Sequence, residues 1–341
     1  MTPAAFLHAL DQVRDGLDQV ERAMGAQLES PEPLVAAIGG HILGAGGKRI
    51  RPALLFFSAE LCGYTGPRRV QIAAAIELLH NATLLHDDVV DGAHLRRGRE
   101  AANARWGNRR AVLVGDFLYA RASAMVVEDG NLEILQVFAD TIRRMAEGEL
   151  LQLQESFDPE LTEQRYYRVI ERKSASLIGA ACEAGAILGE VTRAERRRLA
   201  DFGRELGLAF QLRDDALDYD TSESQLGKPR YADLREGKVT LPLLLALKRA
   251  DPAERAFVTR WLKEASELTS ARGDGRVPDG ALVDGLERVA ELVDRHHGVR
   301  DTLRRAEHHA ALAADAVEPF GACAAREALL GAASFAVARA S

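Results

Sequence analysis

Two short acidic segments carry the strongest chemical signal in this chain. They are Leu84-Leu85-His86-Asp87-Asp88-Val89-Val90-Asp91 and Gln211-Leu212-Arg213-Asp214-Asp215-Ala216-Leu217-Asp218. Each has acids at i, i+1 and i+4, and on a helix i and i+4 share a face one turn apart. Each segment can thus aim two carboxylates to one side. Like charges at that spacing repel by about 0.2–0.5 kcal/mol even when exposed. On otherwise apolar helices the desolvation cost is larger, so something cationic must offset it. Hard carboxylate oxygens suit Mg²⁺, which binds through one or two carboxylates plus substrate phosphates and water. A single such segment reads equally well as a solvated acidic face. Two, each embedded in an apolar helix, read as a metal site.

Basic residues form the complement. Gly46-Gly47-Lys48-Arg49-Ile50-Arg51-Pro52 places three cations in a glycine-led stretch. Arg96 and Arg97 follow the first acidic segment, and Lys173, Lys228 and Lys238 surround the second. Arginine suits bidentate phosphate contacts and lysine point-charge ones. In a chain of net charge -7, basic runs beside acidic pairs point to a diphosphate–metal site. The same net charge argues against a nucleic-acid partner, which calls for a basic surface. Other polar residues carry plainer readings. His80 on a buried helix reads, taken alone, as a core histidine, and His86 is not required as a metal ligand. Asp116 after Gly115 reads as the start of a helix. His296, His297, His308 and His309 read as surface residues, without the HExxH spacing of a zinc site.

The elements that must position these residues are helical. Hydrophobic residues make up 47% of the 341 residues and aromatics only 6%, and the Ala- and Leu-rich balance favours helix. No proline falls between Pro67 and Pro159, or between Pro159 and Pro229, which leaves room for long helices. Residues 5–24 show helical spacing through Phe6, Leu10, Val13, Leu17 and Val20. Residues 70–90 are apolar on nearly every face, the mark of a buried central helix. Helices are also expected over 111–128, 131–156, 162–189 and 194–219, resuming near 240 with Pro242 in the first turn. Residues 270–280, with three glycines and Pro278, read as an exposed loop. Strand-like alternation bounded by turn pairs is absent. The expected fold is an all-α bundle forming a single domain over 1–341. Cys62, Cys182 and Cys323 lie far apart, which argues for a reducing cytoplasm and against a disulfide framework or a zinc site. Met1–Leu10 lacks the character of a signal peptide, and no apolar run approaches the roughly 18 residues of a membrane span.

Taken together, these motifs resemble the trans-polyprenyl diphosphate synthases, in particular the bacterial medium- and long-chain type. The resemblance runs from about Gly46 to Pro242. It rests on GGKRIRP at 46–52, ELLHNATLLHDDVVD at 77–91, RRG at 96–98, GDFLYARA at 115–122, GELLQL at 148–153, KSAS at 173–176, QLRDDALD at 211–218 and DLREGKVTLP at 233–242. It implies antiparallel helices around a central cavity, with the aspartate motifs facing each other across its mouth. It also implies Mg²⁺ as cofactor, isopentenyl diphosphate and an allylic diphosphate as substrates, and a homodimer. Lys48, Arg51, His80 and Arg97 match the isopentenyl diphosphate site. Arg96, Lys173, Ser174, Gln211, Lys228 and Lys238 match the allylic side, with oxygens of Lys173 and Gln211 toward the allylic cation. Asp87, Asp91 and Asp214 match direct metal ligands, supported by Asp88, Asp215 and Asp218.

Two positions depart from the family pattern. Ser174 replaces the usual threonine and keeps its hydroxyl, and Tyr231 and Ala232 stand where glycines are usual. Ala82 and Thr83, one turn before Asp87, are small where short-chain enzymes carry aromatics. A product of roughly C30 to C50 is therefore expected, with C20 the alternative. The cavity floor is expected from Leu78, Leu79 and side chains of 117–125. Two rival readings remain at this point. A class I terpene cyclase would replace the second aspartate motif, and a non-catalytic partner subunit of a heteromeric synthase would lose one of the two.

Overall fold

The computed structural model describes residues 3–220, 231–272 and 282–338. The chain runs α1 (Pro3–Gln12), α2 (Arg14–Ala26), α3 (Pro33–Leu43), α4 (Ile50–Leu61) and α5 (Arg68–Val90), then a hairpin of β1 (Leu95–Arg96) and β2 (Arg99–Glu100). It continues through α6 (Ala102–Trp106), α7 (Asn108–Asp129), α8 (Leu132–Gln154), α9 (Glu163–Ile170), α10 (Ser176–Leu188) and α11 (Arg193–Asp220). The last helices are α12 (Ala232–Arg235), α13 (Leu241–Arg249), α14 (Pro252–Arg272), α15 (Val283–Arg295), α16 (Gly298–Val317) and α17 (Ala324–Val337). No helix among the described residues is long and apolar enough to cross a membrane.

Helix α5 is the central element, as its all-round apolar sequence dictates. Its Ile72, Leu78 and Leu85 are fully buried and join a core with Leu118 and Val126 of α7 and Leu177 of α10. A second core joins α11 to the later helices through Leu208, Leu212, Leu243 and Trp261. A third lies where Leu54 and Phe57 of α4 meet Cys182, Phe202 and Leu329. The bundle thus brackets α5 and α11, the two helices that carry the acidic segments.

Several expectations change in detail. The helical stretch 5–24 is two helices, parted at Val13. The stretch 162–189 is interrupted by one π-helical turn, Glu171–Ala175. Helix α14 runs to Arg272, so the first residues of the loop expected over 270–280 are helical, and the rest lie outside the described residues. His296 and His309 are half-buried, each bound to a glutamate: His296 to Glu254 at 2.8 Å and His309 to Glu205 at 2.6 Å. A two-residue hairpin also exists, which strand alternation could not reveal because each strand has two residues. Its turn is Arg97-Gly98, with φ of 51° and 73°, the doubly left-handed pair of a type I′ turn.

The π turn has an identifiable support. A Cβ on Gly148 of α8 would lie 2.6 Å from the Lys173 backbone nitrogen, and one on Gly207 of α11 would lie 2.6 Å from the Ala175 Cα. Two neighbouring helices therefore close on this turn only because both positions lack a side chain. Turns of this kind recur at functional sites because one extra residue re-aims the side chains around it.

Candidate active site

A cavity of about 770 Å³ lies between α5 and α11. From α5 it receives His80, Thr83 and Asp87, followed by Asp91 and Arg96. From the π turn and α11 it receives Lys173, Ser174, Gln211 and Asp214, and beyond them Lys238. Arg51, at the start of α4, also lines it. Residues chosen from six separate motifs thus share one space.

The two acidic segments are not used symmetrically. Asp87 and Asp91 both line the cavity, as the i, i+4 spacing predicts. In the second segment only Asp214 does. Asp218 is fully buried and accepts the Asp233 backbone N–H at 3.1 Å, so it braces the first turn of α12 instead. The middle aspartates face away from the cavity. Asp88 is fully buried and paired with Arg96 Nε at 2.6 Å. Asp215 accepts from Gln211 Nε2 at 2.8 Å and from the Tyr166 hydroxyl. Burial raises the Asp87 pKa to about 6, against the pull of Lys173 and with the push of Glu149 and Asp91. Burial, with Asp233 adding to it, raises Asp215 to about 8. These directions mark an anionic pole whose charge is costly to hold.

Cations answer it. Lys238 bonds Asp91 Oδ2 at 3.2 Å and Glu236 Oε2 at 2.7 Å. Burial works to lower its pKa, but Glu236, Asp91 and Asp233 prevail and raise it, so it stays protonated. Lys173 pairs with Glu149, whose second oxygen is buried without a hydrogen bond.

The opposite pole is cationic. His80 is held well below its ordinary pKa by burial and then by Arg51, Arg97, Arg96 and Arg49. It is therefore a neutral imidazole at pH 7, able to donate one N–H. Burial lowers Arg51, with Arg97 adding to the effect, and the Arg51 Nε has no hydrogen-bond partner. Gathering cations around a neutral histidine makes sense as a receptor for a multiply charged anion. Arg49 behaves differently: it is buried and tied to Glu77 at 3.1 Å and Glu21 at 2.8 Å, which makes it a structural cation. Arg97 donates to the Gly46 carbonyl. Gly47, with φ of 154°, allows this approach, since a Cβ there would lie 3.0 Å from Arg97 Nη1.

Other sequence-selected residues lie elsewhere. Lys48 is exposed, its Nζ 4.5 Å from the Phe335 ring centroid, which turns it toward α17. Lys228 lies outside the described residues. Thr83 lines the cavity, but Ala82 is 1% exposed and packed in the core. Adjacent helical residues point about 100° apart, and here that turn carries Ala82 from the cavity edge into the core. Of the expected floor, Leu79 and Tyr119 line the cavity while Leu78 is core. Asp116, read as a helix start, lines it too, 3.3 Å from His86 Nε2. Tyr231, at a family glycine, adopts φ of 57°, the left-handed conformation glycine takes freely.

Two site residues were not foreseen. Glu149 could have been singled out as the acid within GELLQL. Tyr166 gave no signal, because its link to Asp215 joins residues 49 apart in sequence.

The polyprenyl synthetase family matches residues 32–272. The chain is 42% identical over 320 residues to octaprenyl diphosphate synthase of Escherichia coli (strain K12), covering 94% of each. It superposes with TM-score 0.90, at 40% identity over 98% of each chain, on a polyprenyl synthase from Caulobacter crescentus CB15 complexed with calcium and isoprenyl diphosphate. A decaprenyl diphosphate synthase from Rhodobacter capsulatus gives TM-score 0.88 at 36% identity, over 97% of this chain and 98% of the other.

The two neighbouring arginines should separate experimentally. Arg49→Ala strands the buried Glu77 and is expected to cost about 3–5 kcal/mol in urea unfolding. Arg51→Ala removes a cation that burial disfavours, so stability should change by less than about 1 kcal/mol, while inorganic diphosphate binds more weakly by calorimetry. Equal stability losses would contradict this division.

Proposed function

This chain belongs to the polyprenyl synthetase family, and on that premise we propose how its cavity carries out prenyl transfer. The protein is a trans-polyprenyl diphosphate synthase making a long-chain product in the C30–C50 range. It joins isopentenyl diphosphate to an allylic diphosphate. The allylic C–O bond breaks, the isopentenyl double bond attacks the allylic carbon, and a proton is lost. The observation that carries the assignment of roles is the division of one cavity into an anionic and a cationic pole.

Asp87, Asp91 and Asp214 would hold Mg²⁺, while Asp88, Asp215 and Asp218 fix Arg96, Gln211 and the start of α12 around them. The donor set fits, since all are hard oxygens. Among the described residues no three metal-binding side chains converge on one point. A cation here would complete its shell with phosphate oxygens and water, as Mg²⁺ prefers. When bound, Mg²⁺ would neutralise the departing diphosphate.

Arg96, Lys173 and Lys238, together with Lys228, are assigned to the allylic diphosphate. In the structure the first three each rest on a carboxylate, namely Asp88, Glu149 and Asp91. They can therefore pass to a phosphate oxygen without losing an anionic neighbour. Arg51, His80 and Arg97 are assigned to isopentenyl diphosphate. Lys48 would join them by turning from Phe335. Ser174, the Gln211 amide oxygen and the Lys173 carbonyl supply dipoles toward the reacting carbon. Leu79, Ile142 and Leu177 wall off water from the cation, and the released diphosphate takes the proton.

Leu113 and Val127 of α7 and Leu132, Leu150 and Leu153 of α8 are exposed large apolar residues, which supports a homodimer through these two helices. Sedimentation velocity is expected to give about twice the mass of a single chain, and Leu113→Glu with Leu150→Glu should reduce it to one.

Asp87→Ala and Asp214→Ala should each lower turnover by about 10³-fold, roughly 4 kcal/mol of transition-state stabilisation. Near-wild-type rates at saturating Mg²⁺ would refute the assignment. Product length should respond to Thr83 and not to Ala82. Thr83→Phe narrows the cavity one turn, about 6 Å, below Asp87, so chromatography of the dephosphorylated products should shift toward C15 or C20. Ala82→Phe should overpack the core and cost about 1–3 kcal/mol of stability with product length unchanged. Unaltered products from Thr83→Phe would refute this account of the cavity.

A further inference from the structure

Gln211 stands in a wall between two spaces. The main cavity lies on one side, and on the other is a smaller chamber of about 140 Å³. Gln211 and Lys173 line both, while Asp215 and Tyr166 line the chamber. Asp215 and Tyr166 are 3% and 4% exposed, so their mutual contact is shielded from water.

The hydrogen bonds in the chamber form a chain. Gln211 Nε2 donates to Asp215 Oδ1 at 2.8 Å, and the Tyr166 hydroxyl donates to Asp215 Oδ2. Both Asp215 oxygens accept from donors on different helices, α11 and α9, and these two hydrogen bonds favour the ionised carboxylate against the burial that opposes it. A primary amide has ends of opposite polarity: the nitrogen donates and the oxygen accepts. With its nitrogen committed to Asp215, Gln211 is left with its carbonyl oxygen to offer the cavity that it also lines. A reversed amide would aim N–H groups at a carbon that becomes positive, opposing its formation.

We propose that Tyr166 is a positioning residue that fixes, through Asp215, the orientation of the Gln211 amide. The proposal rests on the reading that the Gln211 oxygen faces the reacting carbon. Asp215 is one helical turn from Gln211 and alone could swing about its side-chain torsions. The tyrosine, anchored on another helix, removes that freedom by fixing the far oxygen. Tyr166 also lies seven residues before Lys173, on the segment that leads into the π turn. One stretch of chain therefore supplies both Lys173 and the group that orients Gln211 opposite it.

Tyr166→Phe removes the hydroxyl and keeps the ring. Its kcat is expected to fall about tenfold while KM for both diphosphates stays within about twofold, because the loss falls on the transition state. In a Gln211→Ala background, Tyr166→Phe should cause no further loss, since there is no amide left to orient. The wild-type protein offers a second measurement that does not depend on how the variant folds. One Gln211 side-chain amide proton, assigned by its disappearance in Gln211→Ala, should be protected from hydrogen exchange. A fully active Tyr166→Phe beside an impaired Gln211→Ala would overturn the proposal alone, as would multiplying losses in the double variant. Two rapidly exchanging Gln211 amide protons would overturn it as well. Wild-type turnover in Gln211→Ala would instead refute the reading of Gln211, and the proposal with it.

Discussion

Charge of like sign held together inside an apolar bundle is the constraint on which this structure turns. At a separation of 4 Å and an effective dielectric of 20, one such contact costs about 4 kcal/mol. The anionic pole collects carboxylates from α5 and α11, and the cationic pole gathers arginines around His80. Neither pole is stable by itself. Each is held by counter-charges from other elements: Glu77 under Arg49, Arg96 on Asp88, Glu149 on Lys173, and Lys238 between Asp91 and Glu236. The residual strain is visible in the raised Asp87 and Asp215 and in the depressed His80. A metal–diphosphate complex would relieve both poles together, because it brings cation and anion in one unit.

That balance demands accurate placement, and irregular backbone supplies it. The π turn at Glu171–Ala175 presents Lys173 and Ser174 to the cavity, and it fits only because Gly148 and Gly207 let two helices close on it. The Arg97-Gly98 turn holds Arg97 in a left-handed conformation beside Gly46 and Gly47. Tyr231 adopts a similar conformation just before the stretch that delivers Lys238. Backbone strain of this kind costs about 1–3 kcal/mol per residue and persists where surrounding packing enforces it. Regular helices make the wall here, and the exceptions aim the functional groups.

The depth of the cavity follows from the same helical geometry. Thr83 and Ala82 are neighbours in sequence, yet one meets the cavity and the other the core. Below them the wall is apolar and broad, through Leu79, Tyr119, Ile142 and Met145. The depth of the cavity is therefore a property of one helical face and of the side chains that lie opposite it.

How much could be read beforehand depended on the range of the interactions. Helix α5 was legible because its apolar residues surround the axis. Asp87 and Asp91 were legible because i and i+4 on a helix share a face whatever surrounds it. The motifs likewise located Arg51, His80, Lys173, Gln211, Asp214 and Lys238, all of which meet at the cavity. Local spacing could not decide which of two adjacent aspartates turns inward, that Asp218 braces the start of α12, or that Arg49 belongs to Glu77 and Lys48 to Phe335. Nor could it pair Tyr166 with Asp215 across 49 residues. Sequence alone determined the helices and the inventory of charges, because periodicity and residue chemistry are local. Only the tertiary structure decided which charge answers which, because Coulomb and hydrogen-bond energies depend on distances that the packing of separate helices sets.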